Sequence, residues 1–212
     1  MSEGNPVSEL DWTWLKLPHV EAGNRIGIFG GSFNPPHSGH RLVAITALKR
    51  LGLDQIWWLV TPGNPLKSHS DLAPLDLRLR ETRALADHPR MKVTAFEKVL
   101  GSPYTAKTVM SLRVMRPSVR FVWVMGADNL ASFHHWQDWR AIVGSVPIAV
   151  VDRPGASLSM MSAPMAKAFE KYRLPEEQAA MLPDLQPPVW TFLHSPLDRT
   201  SSTDLRLTKI GV

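Results

Sequence analysis

A chain of 212 residues, 44% hydrophobic and 20% charged, is long enough to bury a sizeable core and has the composition of an ordinary globular domain. It contains no cysteine, which removes disulfides, thiolate nucleophiles and cysteine-type zinc sites, and no apolar run approaches the roughly 18 residues that a membrane span needs. The net charge of +5 suits either a nucleic-acid surface or a pocket for small polyanions.

Residues 1–24 scatter Glu3, Glu9, Asp11 and Glu21 among apolar positions, whereas a secretory leader needs a basic start and a continuous apolar run. The expected location is therefore cytoplasmic, with no membrane association. Trp12 and Trp14 are placed to pin this extension to the body of the protein; its role stays open. From residue 25 the chain reads as one domain, 25–212. A strand is predicted at residues 25–29, followed by a glycine turn and a helix at 39–51, where Leu42, Ile45, Leu48 and Leu51 recur every three residues.

The turn reads Gly30-Gly31-Ser32-Phe33-Asn34-Pro35-Pro36-His37-Ser38-Gly39-His40. Two glycines let the backbone turn sharply and come close to a ligand, and the helix that follows aims free N–H groups and a partial positive charge at the same place. His37 and His40 add imidazole donors for phosphate oxygens. By residue type alone the stretch admits a phosphate site, a purely structural turn or a His-x-x-His metal pair. It is neither a Walker A loop nor a Gly-x-Gly-x-x-Gly turn.

Strands are predicted at 56–60, 91–96, 120–125, 147–151 and 190–193, with a helix at 105–115 that ends just before Pro117. The cluster of Arg78, Arg80 and Arg83 reads as a solvated helix face. Phe121-Val122-Trp123-Val124-Met125 is an unbroken apolar run, as expected of a strand covered on both faces. Alternating strands and helices predict an α/β, Rossmann-like, doubly wound fold whose sheet is mainly parallel, with helices on both faces. Ligands of such sheets lie beyond the carboxyl ends of the strands. Residues 154–188, rich in Pro, Met, Ala and Ser, read as an irregular insertion with a helix around 165–172.

Near the C-terminus, Thr200-Ser201-Ser202-Thr203-Asp204-Leu205-Arg206 combines hydroxyl donors at a helix start with a planar guanidinium, which suits a triphosphate tail. Ser201 and Asp204 would equally serve a capping box.

The first motif resembles the Gly-Gly-Ser/Thr-Phe-Asp/Asn-Pro-x-His-x-Gly-His signature of bacterial nicotinate-nucleotide adenylyltransferases, within the His-x-Gly-His nucleotidyltransferase superfamily. The C-terminal motif resembles that superfamily's Ile-Ser-Ser-Thr-x-Ile-Arg, with Thr200 and Leu205 as mild departures. Four further segments are similar to the nicotinate-nucleotide enzymes: Tyr104-Thr105-Ala106-Lys107-Thr108, Gly126-Ala127-Asp128 with Trp136 and Trp139, Thr61-Pro62-Gly63-Asn64-Pro65-Leu66-Lys67, and Val151-Asp152-Arg153-Pro154-Gly155.

The resemblance implies transfer of the adenylyl group of ATP to nicotinic acid mononucleotide, giving nicotinic acid adenine dinucleotide and pyrophosphate in NAD biosynthesis. It places His37 and His40 in catalysis. Gly30, Gly31, Ser32, Phe33, His40, Ser201, Ser202, Thr203 and Arg206 would bind ATP, and Asn34, Lys67, Tyr104, Thr105, Asp128 and Trp136 the acceptor. It implies Mg2+ carried mainly by the ATP phosphates, with no protein metal site. Nicotinamide mononucleotide and phosphopantetheine remain alternative acceptors. A non-catalytic nucleotide-binding or RNA-binding module is the competing class, but no aromatic-basic RNP pattern appears and both histidines and Arg206 are present. Small molecules rather than nucleic acid are the expected partners, and a homo-oligomer is left open.

Overall fold

The computed structural model describes residues 11–63, 72–152 and 162–195. The core is a seven-stranded sheet in the order β3-β2-β1-β4-β5-β7-β6, and every neighbouring pair runs parallel. The strands are β1 (Arg25–Gly31), β2 (Gln55–Val60), β3 (Met91–Thr94), β4 (Arg120–Gly126), β5 (Ile148–Val151), β6 (Arg173–Leu174) and β7 (Trp190–Leu193). Strand order reverses direction between β1 and β4, which opens a crevice at their carboxyl ends.

Period-two alternation sends each strand's side chains into two separate cores. Ile26, Ile28, Trp57, Leu59, Phe121, Trp123, Ile148 and Trp190 lie on one face. There they meet α4 (Thr105–Met115) through Val109 and Leu112, and α6 (Trp139–Ser145) through Ile142 and Val143. Phe29, Trp58, Val60, Val122, Val124 and Val151 lie on the other. That face packs on α1 (Ser38–Arg50) through Val43, Ala44 and Leu48, and on α2 (Leu75–Leu85) through Leu79. The doubly wound reading therefore stands, and all the pairings are parallel. Three further short α-helices lie among the described residues: α3 (Phe96–Leu100), α5 (Ala127–Leu130) and α7 (Pro164–Ala168).

Two departures from the sequence reading have clear causes. The strand expected at 91–96 stops at Thr94, because the amide of Ala95 donates to the Trp14 carbonyl at 2.7 Å and the Thr94 hydroxyl reaches the Trp14 and Lys16 carbonyls. The N-terminal segment thus takes the donor a longer strand would need, and Phe96 begins α3 instead. Trp14 does pack against the core, whereas Trp12 is exposed. The second departure is that residues 162–188 are ordered into α7, a 3-10 turn at Glu170–Tyr172, strand β6 and a 3-10 helix at Glu176–Asp184. Asp184 accepts from Arg25 and Arg120, tying this segment to the starts of β1 and β4.

The glycine turn at the end of β1 is dictated by the neighbouring strand. A Cβ on Gly30 would stand 2.6 Å from Cη2 of Trp123, a ring that is almost wholly buried in β4. Gly30→Ala should therefore force the indole or the strand to shift, lowering stability by about 1–3 kcal/mol on the scale of overpacked cores. Urea unfolding measures this, and an unchanged midpoint would contradict the account.

Candidate active site

The crevice is built from the segments that leave the carboxyl ends of β1, β2 and β4. After Gly31 the chain passes through Phe33, whose φ of 45° lies in the left-handed region that side chains disfavour. Burial of its ring holds it there: Phe33 packs 5.4 Å from Phe29, 5.2 Å from Trp58 and 5.1 Å from the His40 ring, centroid to centroid. Gly31 is needed beside it, since a Cβ would meet the Phe33 ring at 3.1 Å.

His37 is the N-cap of helix α1 and His40 its third residue: the His37 carbonyl accepts from the His40 amide at 2.9 Å, and the His37 amide donates to Nδ1 of His40 at 3.2 Å, with the rings 3.8 Å apart. A nitrogen that accepts cannot carry the proton, so the ring N–H of His40 sits at Nε2. The helix N-terminus thereby adds an imidazole donor to its own free amides, in a place where a phosphate oxygen would be stabilised. His37 is buried and His40 half-buried. Asn34 accepts from the amide of Ala73 at 3.1 Å, which joins the glycine turn to the approach of α2.

On the β4 side, Gly126 caps α5 and Asp128 is exposed within its first turn, not at the cap itself. Trp136 lies in extended backbone after the short 3-10 turn Phe133–His135, so it is not a helical residue. Half-buried, it stands edge-on to Trp123 at 6.0 Å and tilted on Phe133 at 5.1 Å. Trp123 therefore supports both the glycine turn and Trp136. Tyr104 is the N-cap of α4 and Thr105 its first residue, so the free amides of that helix open beside them. Lys67, Ser201, Ser202, Thr203 and Arg206 lie outside the described residues.

Arg78 corrects the sequence reading most sharply. It was expected on a solvated face, and it is 1% exposed. Its Nε donates to the Ala73 carbonyl at 2.8 Å, Nη1 to the carbonyls of Ser32 and Thr61 at 2.8 Å each, and Nη2 to Pro62 at 3.3 Å. Desolvation lowers its pKa, and no charged partner among the described residues offsets that burial. The signal lay in the spacing: Leu75, Arg78, Leu79 and Thr82 fall at i, i+3, i+4 and i+7, one face of a helix. Arg80 behaves as expected, exposed and paired with Asp76, while Arg83 reaches back toward the Met91 carbonyl at 3.5 Å.

Glu97 is the second residue that sequence reasoning missed. It is 3% exposed, and burial pushes its carboxyl up to about 7, against the lowering influence of the Thr108 and Thr61 hydroxyls. Thr108 donates to its Oε1 at 2.9 Å.

A parallel sheet with the glycine turn and its two histidines at the switch point fits the nucleotidyltransferase class that the sequence motifs resemble. The comparisons agree: the chain belongs to the cytidylyltransferase-like family, whose model matches residues 28–207. It is 59% identical over 186 residues to a protein of Rhizobium meliloti named "Probable nicotinate-nucleotide adenylyltransferase", covering 88% of this chain and 99% of that one. A protein of the same name from Brucella abortus is 55% identical over 185 residues, 87% of this chain and 95% of its own. Within the wider family the chain therefore belongs to the nicotinate-nucleotide adenylyltransferases. In fold it is similar to the Plasmodium falciparum nicotinic acid mononucleotide adenylyltransferase complexed with NaAD, with a TM-score of 0.63 at 16% identity, over 87% of this chain and 83% of that one.

Replacing the Arg78 fork should cost more than a surface arginine would. Arg78→Met leaves four carbonyls without their donor, and at about 1–3 kcal/mol for each one that water cannot reach, a loss of at least about 3 kcal/mol is expected. Arg78→Lys should recover only part of it, since an ammonium cannot reproduce the planar fork. Denaturant unfolding of both variants checks this; full recovery by lysine would show that charge alone matters.

Proposed function

We propose that this protein transfers the adenylyl group of ATP to nicotinic acid mononucleotide, forming nicotinic acid adenine dinucleotide and releasing pyrophosphate. The observation that carries this reading is the pair of imidazoles that cap α1 directly after the glycine turn, at the switch point of the sheet. An oxygen of the acceptor's phosphate attacks the α-phosphorus of ATP, and the bond from that phosphorus to the β-phosphate oxygen breaks. The acceptor is already an anion, so no general base is needed; catalysis is positioning and neutralisation of charge.

In this reading Gly30, Gly31, Ser32 and Phe33 let the triphosphate approach the backbone, and His37 and His40 donate to phosphate oxygens as charge builds. Pyrophosphate leaves toward Ser201, Ser202, Thr203 and Arg206. Mg2+ arrives on the triphosphate; among the described residues no cluster of three His, Asp or Glu side chains is grouped to hold it. The pyridine ring stacks near Trp136 with its carboxylate facing the free amides where Tyr104 and Thr105 open α4, and Asn34, Lys67 and Asp128 complete the acceptor side. We place the reaction in the cytoplasm, with small molecules as the partners; no helix among the described residues is long and apolar enough to cross a membrane.

His40→Ala should slow turnover by about 10²-fold, the scale of losing one transition-state oxyanion donor, while the fold is kept. Near-normal turnover would remove His40 from the mechanism. Pyrophosphate release from Mg-ATP, offered nicotinic acid mononucleotide, nicotinamide mononucleotide or phosphopantetheine, tests the acceptor. Helix amides satisfy a carboxylate, whereas an amide leaves a donor mispaired at about 1–3 kcal/mol, so the acid should be preferred by roughly tenfold to several hundredfold. Equal use of acid and amide would defeat the carboxylate pocket, and activity with phosphopantetheine alone would overturn the acceptor.

A further inference from the structure

The peptide that joins Ser32 to Phe33 is held from outside the glycine turn. Its carbonyl accepts from Nη1 of Arg78 at 2.8 Å. The guanidinium is itself fixed by the other carbonyls it meets, those of Thr61, Pro62 and Ala73, so Ser32 is tied to a rigid donor. The Ser32–Phe33 peptide is trans, and in a trans peptide the N–H points away from the carbonyl. Arg78 therefore sets the direction of the Phe33 amide, which lies on the far side of the peptide from the guanidinium. Among the described residues that amide has no hydrogen-bond acceptor.

The orientation is strained. Phe33 has a φ of 45°, in the left-handed region that a side chain disfavours. Turning the peptide plane over changes ψ of Ser32 and φ of Phe33 together and returns Phe33 to negative φ, where the strain is relieved. The same rotation would take the Ser32 oxygen away from Arg78 and put it where the Phe33 N–H now stands. Packing against Phe29, Trp58 and His40 anchors the Phe33 ring. The hydrogen bond from Arg78 anchors the peptide plane that precedes it.

We propose that Arg78 is a positioning residue for adenylyl transfer: it holds the Ser32–Phe33 peptide in its strained orientation, so that the Phe33 N–H donates to a phosphate oxygen of ATP. This assignment rests on the ATP reading of the glycine turn given above. Once Arg78 lets go, the relaxed peptide presents a carbonyl oxygen at that place, and an oxygen repels a phosphate. The cation also strengthens the donor it positions, because a carbonyl that accepts a charged hydrogen bond polarises its peptide and makes the N–H more acidic. No acidic group pairs with the guanidinium among the described residues, so its charge acts on the peptide undiminished.

The test compares the wild type with Arg78→Lys and Arg78→Met. Arg80→Met is the control, removing an exposed charge from the same helix. The probe is Mg-ATP alone, so that binding is read without turnover. Lysine cannot span the carbonyls of Ser32, Thr61, Pro62 and Ala73 at once. The Kd of folded Arg78→Lys for Mg-ATP should rise by about tenfold, since only molecules in the strained orientation bind. Arg78→Met, where it folds, should bind still more weakly, and Arg80→Met should stay within about twofold. A purely structural loss would reduce the active fraction, and with it kcat, while leaving that Kd unchanged. A Kd for Arg78→Lys within about twofold of the wild type would overturn the proposal.

NMR reads the peptide directly in the wild type. Carbon-13 in serine carbonyls combined with nitrogen-15 in phenylalanine amides selects the Ser32–Phe33 and Ser132–Phe133 peptides, and the second is identified by its loss in Ser132→Ala. The Phe33 amide proton should move downfield as Mg-ATP saturates the protein, and the Ser32 carbonyl carbon should move upfield in unliganded Arg78→Lys. A wild type that binds no Mg-ATP refutes the nucleotide reading and this proposal with it, whereas binding with an indifferent Phe33 amide refutes the proposal alone.

Discussion

One guanidinium sets the distance between the two halves of this site. Arg78, buried under the crevice, gathers the carbonyls of Ser32 from the glycine turn, Thr61 and Pro62 from the turn after β2, and Ala73 from the approach to α2. Loops normally leave such carbonyls to water, and a crevice that must exclude water cannot do so. A planar cation with five donors resolves the conflict, satisfying several acceptors at once and holding them at a fixed spacing. It also leaves a positive charge beneath a site whose proposed ligands are polyanions, where reduced solvent screening makes that charge count for more than it would at the surface.

The remaining supports converge on the same turn. Thr61 donates its amide to Gly31, so that the β1–β2 ladder continues one residue past the strand and carries the turn after β2 with it. The Thr61 hydroxyl donates to the Gly63 carbonyl, closing that turn on itself, while buried Glu97 accepts from the Thr108 hydroxyl of α4. A buried cation and a buried carboxyl are thus each met by uncharged groups, carbonyls for Arg78 and the Thr108 hydroxyl for Glu97. The aromatic layer does for β4 what these residues do for β2: Trp123 fills the space left by Gly30 and supports Trp136 edge-on. Side chains used this way transmit the rigidity of a close-packed sheet to the loops that must place a ligand.

Much of the architecture was written in local pattern. Apolar runs such as Phe121–Met125 identify a doubly covered sheet, and α4 begins and ends where its cap and the following proline require. The glycine turn and its two histidines are legible because a close backbone approach and a helix N-terminus constrain residue type directly. Other features were hidden for a physical reason. Arg78 is chemically a surface residue, and only the carbonyls that three separate segments bring together make its burial favourable. Glu97 is likewise an ordinary helix residue until the fold buries it against Thr108 of α4. The strand at β3 is cut short by Trp14 and Lys16, about 80 residues away in sequence, and Trp136 owes its orientation to Trp123 and Phe133 rather than to a helical period.

The sequence by itself determined what is local: the strands and most helices, the glycine turn with its two histidines at a helix start, and through its motifs the family to which the chain belongs. Those properties depend on neighbours a few positions apart, where steric and hydrogen-bonding preferences act directly. The tertiary structure alone decided which ionisable groups are buried, which uncharged groups each one meets, and how the glycine turn is held against the turn after β2. Such pairings depend on segments distant in the chain meeting at the carboxyl edge of one sheet, and no periodicity within a single segment encodes which of them will meet.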